Sequence, residues 1–264
     1  MKIAVNAKEL AADGACAFVP TMGALHEGHA SLIKKAREFS DTVVVSVFIN
    51  PLQFENKDDL AKYPRTPEFD IEVAAQAGAT HLWLPTVEEI YPGEVQKISA
   101  GALGDIYEGV KRPGHFDGVL TVVNRLFELV KPKWAIFGEK DFQQLTLIKN
   151  LKSDVQVIGA PTIRNADGLA LSSRNVRISD PKDALVVYRA LMAARNEKNI
   201  DDARRVMREV LASEKAFTLD YAEIINESNF EKASQNDESK RAIIAGWVNG
   251  IRLIDNMPMN GGAQ

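Results

Sequence analysis

The chain has 264 residues, enough for one large domain or a main domain with a smaller appendage, and its 45% hydrophobic and 26% charged residues are ordinary for a globular protein. A formal charge of −4 excludes a broadly basic nucleic-acid surface, so any anion site has to be local. The single cysteine, Cys16, leaves no internal disulfide framework and no cysteine-based zinc cluster, and no stretch approaches the roughly 18 apolar residues of a membrane span.

The amino-terminal MKIAVNAKELAADGA carries Glu9 and Asp13 and lacks the plan of a secretory signal, so a reducing cytoplasm is the expected location. ACAFVP (15 to 20) reads as a short strand, with Cys16 a small buried hydrophobe within it. After a glycine-containing loop, Leu32, Ile33, Ala36 and Phe39 recur at helical spacing. DTVVVSVFIN (41 to 50) is a nearly continuous β-branched run, as in a parallel strand covered on both faces. Thr66 and Pro67 read as N-cap and first helical position, Phe69, Ile71, Val73 and Ala74 as the apolar surface of that helix, and Gly78 as its stop. THLWLP (80 to 85) is the next strand, and His81 at its start reads as structural.

A less regular stretch follows, in which His115 reads as shaping a turn. VLTVVNRLFELVKP is then an amphipathic helix ended by Pro132, WAIFGE a strand, FQQLTLIKNL a helix and VQVIGA (155 to 160) a strand. This alternation predicts an α/β fold, a Rossmann-like parallel sheet with helices on both faces, whose ligands bind outside the carboxyl ends of the strands. Beyond about residue 175 the grammar changes to two helices and three strands, a smaller C-terminal α+β domain. The predicted division is 1–175 and 176–264. ESNFEKASQNDESK (227 to 240) reads as a solvated excursion and the final NGGAQ as a frayed end.

Two of the four histidines, His26 and His29, fall in PTMGALHEGH, the loop after the first apolar run. GALHEGHA nearly matches the phosphate loop GxxxxGK[ST], with Gly23 and Gly28 in register and His29 and Ala30 in place of the lysine and hydroxyl. A helix N-terminus offers unpaired N–H groups to an anion, and both histidines could face one phosphate, which would bias them toward their protonated forms. The alternatives are that one histidine caps the turn while the other packs, or that the pair holds zinc. HEGH lacks the spacing of HExxH for the latter.

HxGH resembles the fingerprint of the nucleotidylyltransferase superfamily. NPLQF (50 to 54), YPRTPEFD (63 to 70), RPGHFDGVLTVV (112 to 123), FGEKDFQQL (137 to 145) and DGLALSSRN (167 to 175) follow in order. With FVPTMGALHEGH they resemble the pantothenate synthetase family, the pantoate–β-alanine ligases of vitamin B5 and coenzyme A synthesis, over residues 17 to 180.

The resemblance implies an ATP-dependent, amide-forming ligase that makes pantoyl adenylate, releases pyrophosphate, and then lets the β-alanine amine displace AMP. No protein nucleophile is needed, so a site rich in donors is expected. By resemblance His26, His29 and Lys140 bind the ATP phosphates, and Ser172, Ser173 and Arg174 form a second phosphate-binding loop. Pro20, Thr21, Met22, Gly138, Asp141 and Leu171 complete the nucleotide side, Leu171 standing where many members carry methionine. Gln53 and Gln144 resemble the glutamines that hold pantoate, with Met22, Asn50, Tyr63 and Arg112 beside them, and Gln53 also faces β-alanine. Magnesium is expected with ATP and no protein metal site. The expected partners are these small molecules and a second copy of the chain, with no nucleic acid or membrane, and the C-terminal domain is expected to act as a lid.

Two other activities remain compatible with the motifs, nucleotidyl transfer onto a phosphate acceptor and a nonenzymatic nucleotide-binding module. The first calls for extra basic residues where NPLQF and DFQQ offer neutral glutamines.

Overall fold

The structure is a computed structural model that describes residues 1–10, 15–54, 60–61 and 63–259. The frayed-end expectation for NGGAQ falls on residues outside these. Contacts divide the chain into Met1–Ile163 and Arg164–Gln264.

The first unit runs β1 (Lys2–Ala4), β2 (Ala17–Thr21), α1 (Glu27–Arg37), β3 (Val43–Val47), α2 (Pro67–Ala77), β4 (His81–Trp83), the short α3 (Val87–Ile90) and α4 (Glu108–Lys111), α5 (His115–Val130), β5 (Trp134–Gly138), α6 (Phe142–Lys149) and β6 (Gln156–Ala160). All six strands are parallel, in the order β1-β4-β3-β2-β5-β6. Alternate residues feed opposite faces: Phe18, Val44, Ala135 and Phe137 join one core, and Ala17, Val19, Val43, Val45 and Ile136 the other. Burial on both faces explains the unbroken apolar runs. Each fully buried Val or Ile contributes on the order of 1.5–3 kcal/mol.

The strand order decides where a ligand can sit. From β2 the chain moves to β3 and then β4 on one side, whereas β5 pairs with the opposite edge of β2. The order therefore reverses between β2 and β5, the switch point where the loops leaving two strands part and open a crevice. Those loops are TMGALHEGH and GEKDFQQ.

Three features differ from the sequence expectations. The edge strand β1 carries only three residues, two of them exposed, and so shows too little periodicity to be read. In α2 the buried face is Asp70, Ala74 and Ala77, at helical spacing, while Phe69 is 54% exposed. The cap signals of that helix agree with the structure: Thr66 precedes Pro67, and Gly78 ends α2 in the left-handed region at φ 99°. His115 is not a turn former but a buried residue opening α5.

The second unit packs α7 (Pro181–Asn196) and α8 (Ile200–Ala212) with the antiparallel sheet β7 (Phe217–Asn226), β8 (Lys240–Val248) and β9 (Ile251–Pro258) around one apolar core. Its contacts begin at Arg164, ahead of the change of grammar at 175, because the Arg164 guanidinium makes a two-pronged ion pair with the Asp255 carboxylate on β9. The excursion at 227–240 is not wholly solvated. Phe230 and Ala233 are buried there, and Ala233 joins the core.

Candidate active site

The site grows from the carboxyl end of β2. Thr21 Oγ1 donates to the carbonyl of Ser46 on β3 at 2.7 Å and accepts from the Gly23 N–H at 3.3 Å, tying the loop to the sheet. Gly23 (φ 86°) and Ala24 (φ 51°) are both left-handed and turn the chain sharply toward α1. His26 then takes the N-cap position of α1 in extended backbone, and His29 follows on its first turn.

The two imidazoles form a reciprocal cap. His26 Nδ1 accepts from the Gly28 N–H at 3.1 Å, and His29 Nδ1 accepts from the His26 N–H at 3.3 Å. This arrangement fixes the tautomers, since a ring nitrogen that accepts has a lone pair and the hydrogen must lie on Nε2. The ring centroids are 4.2 Å apart. The helix end therefore presents two Nε2–H donors side by side.

Without a ligand both histidines are biased toward the neutral form. His26 is lowered by burial first and by Lys140 second, with Glu27 opposing. His29 is lowered to about 3 by burial, then by His26 and also by Lys140, with Asp141 opposing. In the free protein both rings thus favour the neutral form, while the expected bias toward the cation concerns rings beside a bound phosphate. Burial and a neighbouring ammonium both disfavour a second cation, and the cap needs each Nδ1 lone pair. Capping engages Nδ1 of each ring, so it does not compete for the Nε2–H groups.

Lys140 lies across the switch point in the turn Glu139–Asp141 after β5, and its charge bears on both imidazoles. Its side chain is 18% exposed, with Nζ 3.7 Å from the half-exposed Asp141 carboxylate. Asp141 makes no side-chain capping bond to α6. Gly138 closes β5, and Leu32 Cδ2 on α1 lies 4.0 Å from where a Cβ would stand.

The NPLQF loop after β3 forms a second, neutral lobe. Asn50 is 1% exposed and its amide is engaged throughout: Nδ2 donates to Gln53 Oε1 at 3.2 Å and to the Gly118 carbonyl at 3.0 Å, while Oδ1 accepts from the Leu52 N–H and the Tyr91 hydroxyl. His115 Nδ1 lies 3.0 Å from the Gln53 carbonyl, so the ring donates there. Gly118 is required by the packing, since a Cβ would come within 2.3 Å of the Leu52 carbonyl oxygen. Gln53 Nε2 contacts Met22 Sδ at 2.8 Å, which joins this lobe to the histidine loop.

The other predicted residues fall less tightly together. Pro20 precedes Thr21, the last residue of β2, and Tyr63 packs edge-on against Phe54 of the NPLQF loop at 5.8 Å. Arg112 is half-buried just before α5, its carbonyl accepting from the His115 N–H. Gln144 is half-buried on the first turn of α6. Leu171, Ser172, Ser173 and Arg174 belong to the second unit, where Ser172 Oγ accepts from the Arg174 N–H and the turn Asn175–Arg177 follows. Sequence reasoning assigned no role to Tyr91 or Asp70 and left His115 and Gly118 outside the site. Asp70, His115 and Gly118 lie within quoted motifs, but only their contacts give them functions.

A family model described as pantoate-beta-alanine ligase matches residues 1–258. The chain belongs to that family. A pantothenate synthetase of Acidothermus cellulolyticus is 45% identical, covering 97% of this chain and 89% of its own. The pantothenate synthetase of Thermus thermophilus superposes with a TM-score of 0.92 at 42% identity over 98% of this chain and 99% of the other. A pantoate-beta-alanine ligase from Francisella tularensis, solved with beta-gamma ATP and beta-alanine, has a TM-score of 0.79 and 35% identity over 99% of both chains. The enzyme is thus a ligase that condenses pantoate with β-alanine using ATP. Membership sets aside the phosphate-acceptor transferase and the nonenzymatic module.

Proposed function

We propose that the enzyme works through a pantoyl adenylate, with the switch-point crevice binding ATP phosphates and the neutral lobe binding pantoate. The observation that carries this reading is the reciprocal histidine cap, which engages each Nδ1 and so puts the hydrogen on each Nε2, on two rings that also feel the charge of Lys140. Pantoate's carboxylate attacks the α-phosphorus, the bond to pyrophosphate breaks, and the electron pair leaves with it. His26 and His29 donate to phosphate oxygens, and Lys140 supplies a compact cation that can follow the departing charge. The β-alanine amine then attacks the activated carbonyl, expels AMP and loses its proton, closing the amide.

Gln53 offers an amide N–H now resting on methionine sulfur, a weak acceptor, and can exchange it for a substrate oxygen. Gln144, Tyr63 and Arg112 complete the pantoate side in this reading, and Gln53 also meets β-alanine. Asn50 acts by holding Gln53. Pro20, Thr21, Met22, Gly138, Asp141 and Leu171 line the nucleotide, and Ser172, Ser173 and Arg174 are assigned to phosphate by family resemblance. Among the described residues no group of three or more His, Cys, Asp and Glu side chains could hold a metal ion. Two imidazoles and an ammonium suit phosphate oxygens, so magnesium arrives with ATP as part of the substrate and keeps most of its waters.

A homodimer in the cytoplasm belongs to the same reading, as does a lid role for the C-terminal domain. Among the described residues no helix is long and apolar enough to cross a membrane. The deciding experiment is isotope exchange between pyrophosphate and ATP with magnesium and pantoate but no β-alanine. Exchange that requires pantoate is expected, and its absence with ATP still bound would overturn the adenylate.

A further inference from the structure

We infer that Asp70 is a positioning residue for ATP activation, a buried carboxylate that sets the turn from which His26 and His29 are presented. This rests on the phosphate role of the histidines. Asp70 is 1% exposed on the first turn of α2, a helix otherwise remote in sequence from the loop it holds. Its Oδ1 accepts from the Leu25 N–H at 2.7 Å and from the Thr66 hydroxyl at 3.1 Å, while Oδ2 accepts from the Ala24 N–H at 3.1 Å. Two successive backbone amides immediately before His26 thus converge on one carboxylate.

Those amides belong to the least favoured backbone in the loop. Ala24 is left-handed at φ 51°, a conformation that costs a non-glycine residue about 1 kcal/mol or more. Gly23 at φ 86° leaves space for the contact, since a Cβ there would stand 3.0 Å from Asp70 Oδ2. Carboxylate acceptance offsets the strain and defines the turn, because charge-assisted bonds are stronger than neutral ones. The turn in turn fixes the direction from which the chain enters the histidine cap. A displacement of about 1 Å at such a donor pair is enough to cost about a hundredfold in rate.

The test is Asp70→Asn, which preserves shape but offers one amide acceptor and sets an NH2 against the other backbone N–H. Pantoate-dependent pyrophosphate exchange is expected to fall about tenfold to a hundredfold, with a raised KM for ATP. The KM for pantoate should stay within about twofold, a split that general loss of folding would not produce. Adding Ala24→Gly, which removes the left-handed penalty, should recover part of the ATP-side loss. Unchanged ATP constants in folded Asp70→Asn, or equal losses for both substrates, would overturn the inference. If Asp70→Asn does not fold, Gly23→Ala, which crowds the same contact from the loop side, must show the same split or the inference fails. His26→Ala and His29→Ala measured in parallel separate the two claims. Normal ATP constants in both would sink the phosphate reading itself, whereas impaired histidine variants beside a normal Asp70→Asn would sink only this inference.

Discussion

The two lobes of the crevice handle hydrogen-bonding capacity in opposite ways. On the histidine side, backbone amides occupy each Nδ1 and put the ring hydrogens on Nε2. In the NPLQF lobe, Asn50 is saturated by protein partners, and Gln53 Nε2, among the described residues, contacts the weakly accepting sulfur of Met22. The first lobe holds donors ready for charge, while the second uses one amide to lock another in place. Charge that changes during reaction needs strong, prearranged donors, whereas the hydroxyl groups of a hydroxy acid call for an amide held at a fixed angle.

Breaking the charged lobe should have the largest effect. Lys140→Ala is expected to lower pantoate-dependent exchange by about a hundredfold or more with the melting temperature nearly unchanged, because the cation meets charge that develops on phosphate. Single-turnover adenylation checks this, and near-normal rates would remove Lys140 from the phosphate site. His26→Ala and His29→Ala should each weaken ATP binding and slow exchange by about tenfold or more. Each also loses a helix cap of about 1 kcal/mol, visible as a small drop in denaturation midpoint.

Breaking the neutral lobe should reverse the balance of stability and catalysis. Asn50→Ala takes away the acceptor of the half-buried Tyr91 hydroxyl and Leu52 N–H. It is expected to cost about 2–3 kcal/mol of stability and to raise the KM for pantoate more than that for ATP. Urea denaturation and steady-state kinetics on one preparation check both. A stable Asn50→Ala enzyme with a raised ATP KM would contradict the division between lobes.

The histidines also link stability to pH. His29 titrates near 6.5 when unfolded and about 3 when folded, so below pH 6.5 the unfolded chain binds a proton that the native chain does not. Its contribution is fully present above pH 6.5 and is lost as pH falls toward 3, by up to about 1.4 kcal/mol per pH unit. Denaturation between about pH 7 and 4 should therefore be less steeply pH-dependent in His29→Gln. Phosphate beside the rings favours the cation, but an added proton would have to go to Nδ1 and break the cap, so ATP binding near about pH 6 is expected to leave both rings neutral, checked by calorimetry in buffers of different ionisation heat. The smallest effect is reserved for His81, where only the Thr80 hydroxyl is hydrogen-bonded to Nδ1 at 2.9 Å. His81→Gln should leave both substrate constants within about twofold.

Much of this enzyme was legible in the sequence because its local and global preferences agree. The β-branched run at 43–47, the Thr66–Pro67 start and the Gly78 stop each carry a signal that neighbours alone determine. HEGH, NPLQF and FGEKD pointed to the family and to a donor-rich site. Less legible was anything that depends on a distant partner. Phe69 has the look of the residue to bury and Asp70 that of a solvated helix charge, but the Ala24 and Leu25 amides reverse that reading. The neutral bias of the histidines in the free protein is hidden from the sequence for the same reason, since burial and Lys140 act through space.

By itself the sequence determined the order of the longer strands and helices and the family, because periodicity, caps and motifs are properties of adjacent residues. Tertiary structure alone decided that β5 pairs with β2 on the edge opposite β3, and so that Lys140 faces histidines more than 100 residues earlier. It also decided which nitrogen of each imidazole is free and which carboxylate holds the loop. Those choices follow from packing and low-dielectric electrostatics, which depend on distance in space and leave no local pattern in the chain.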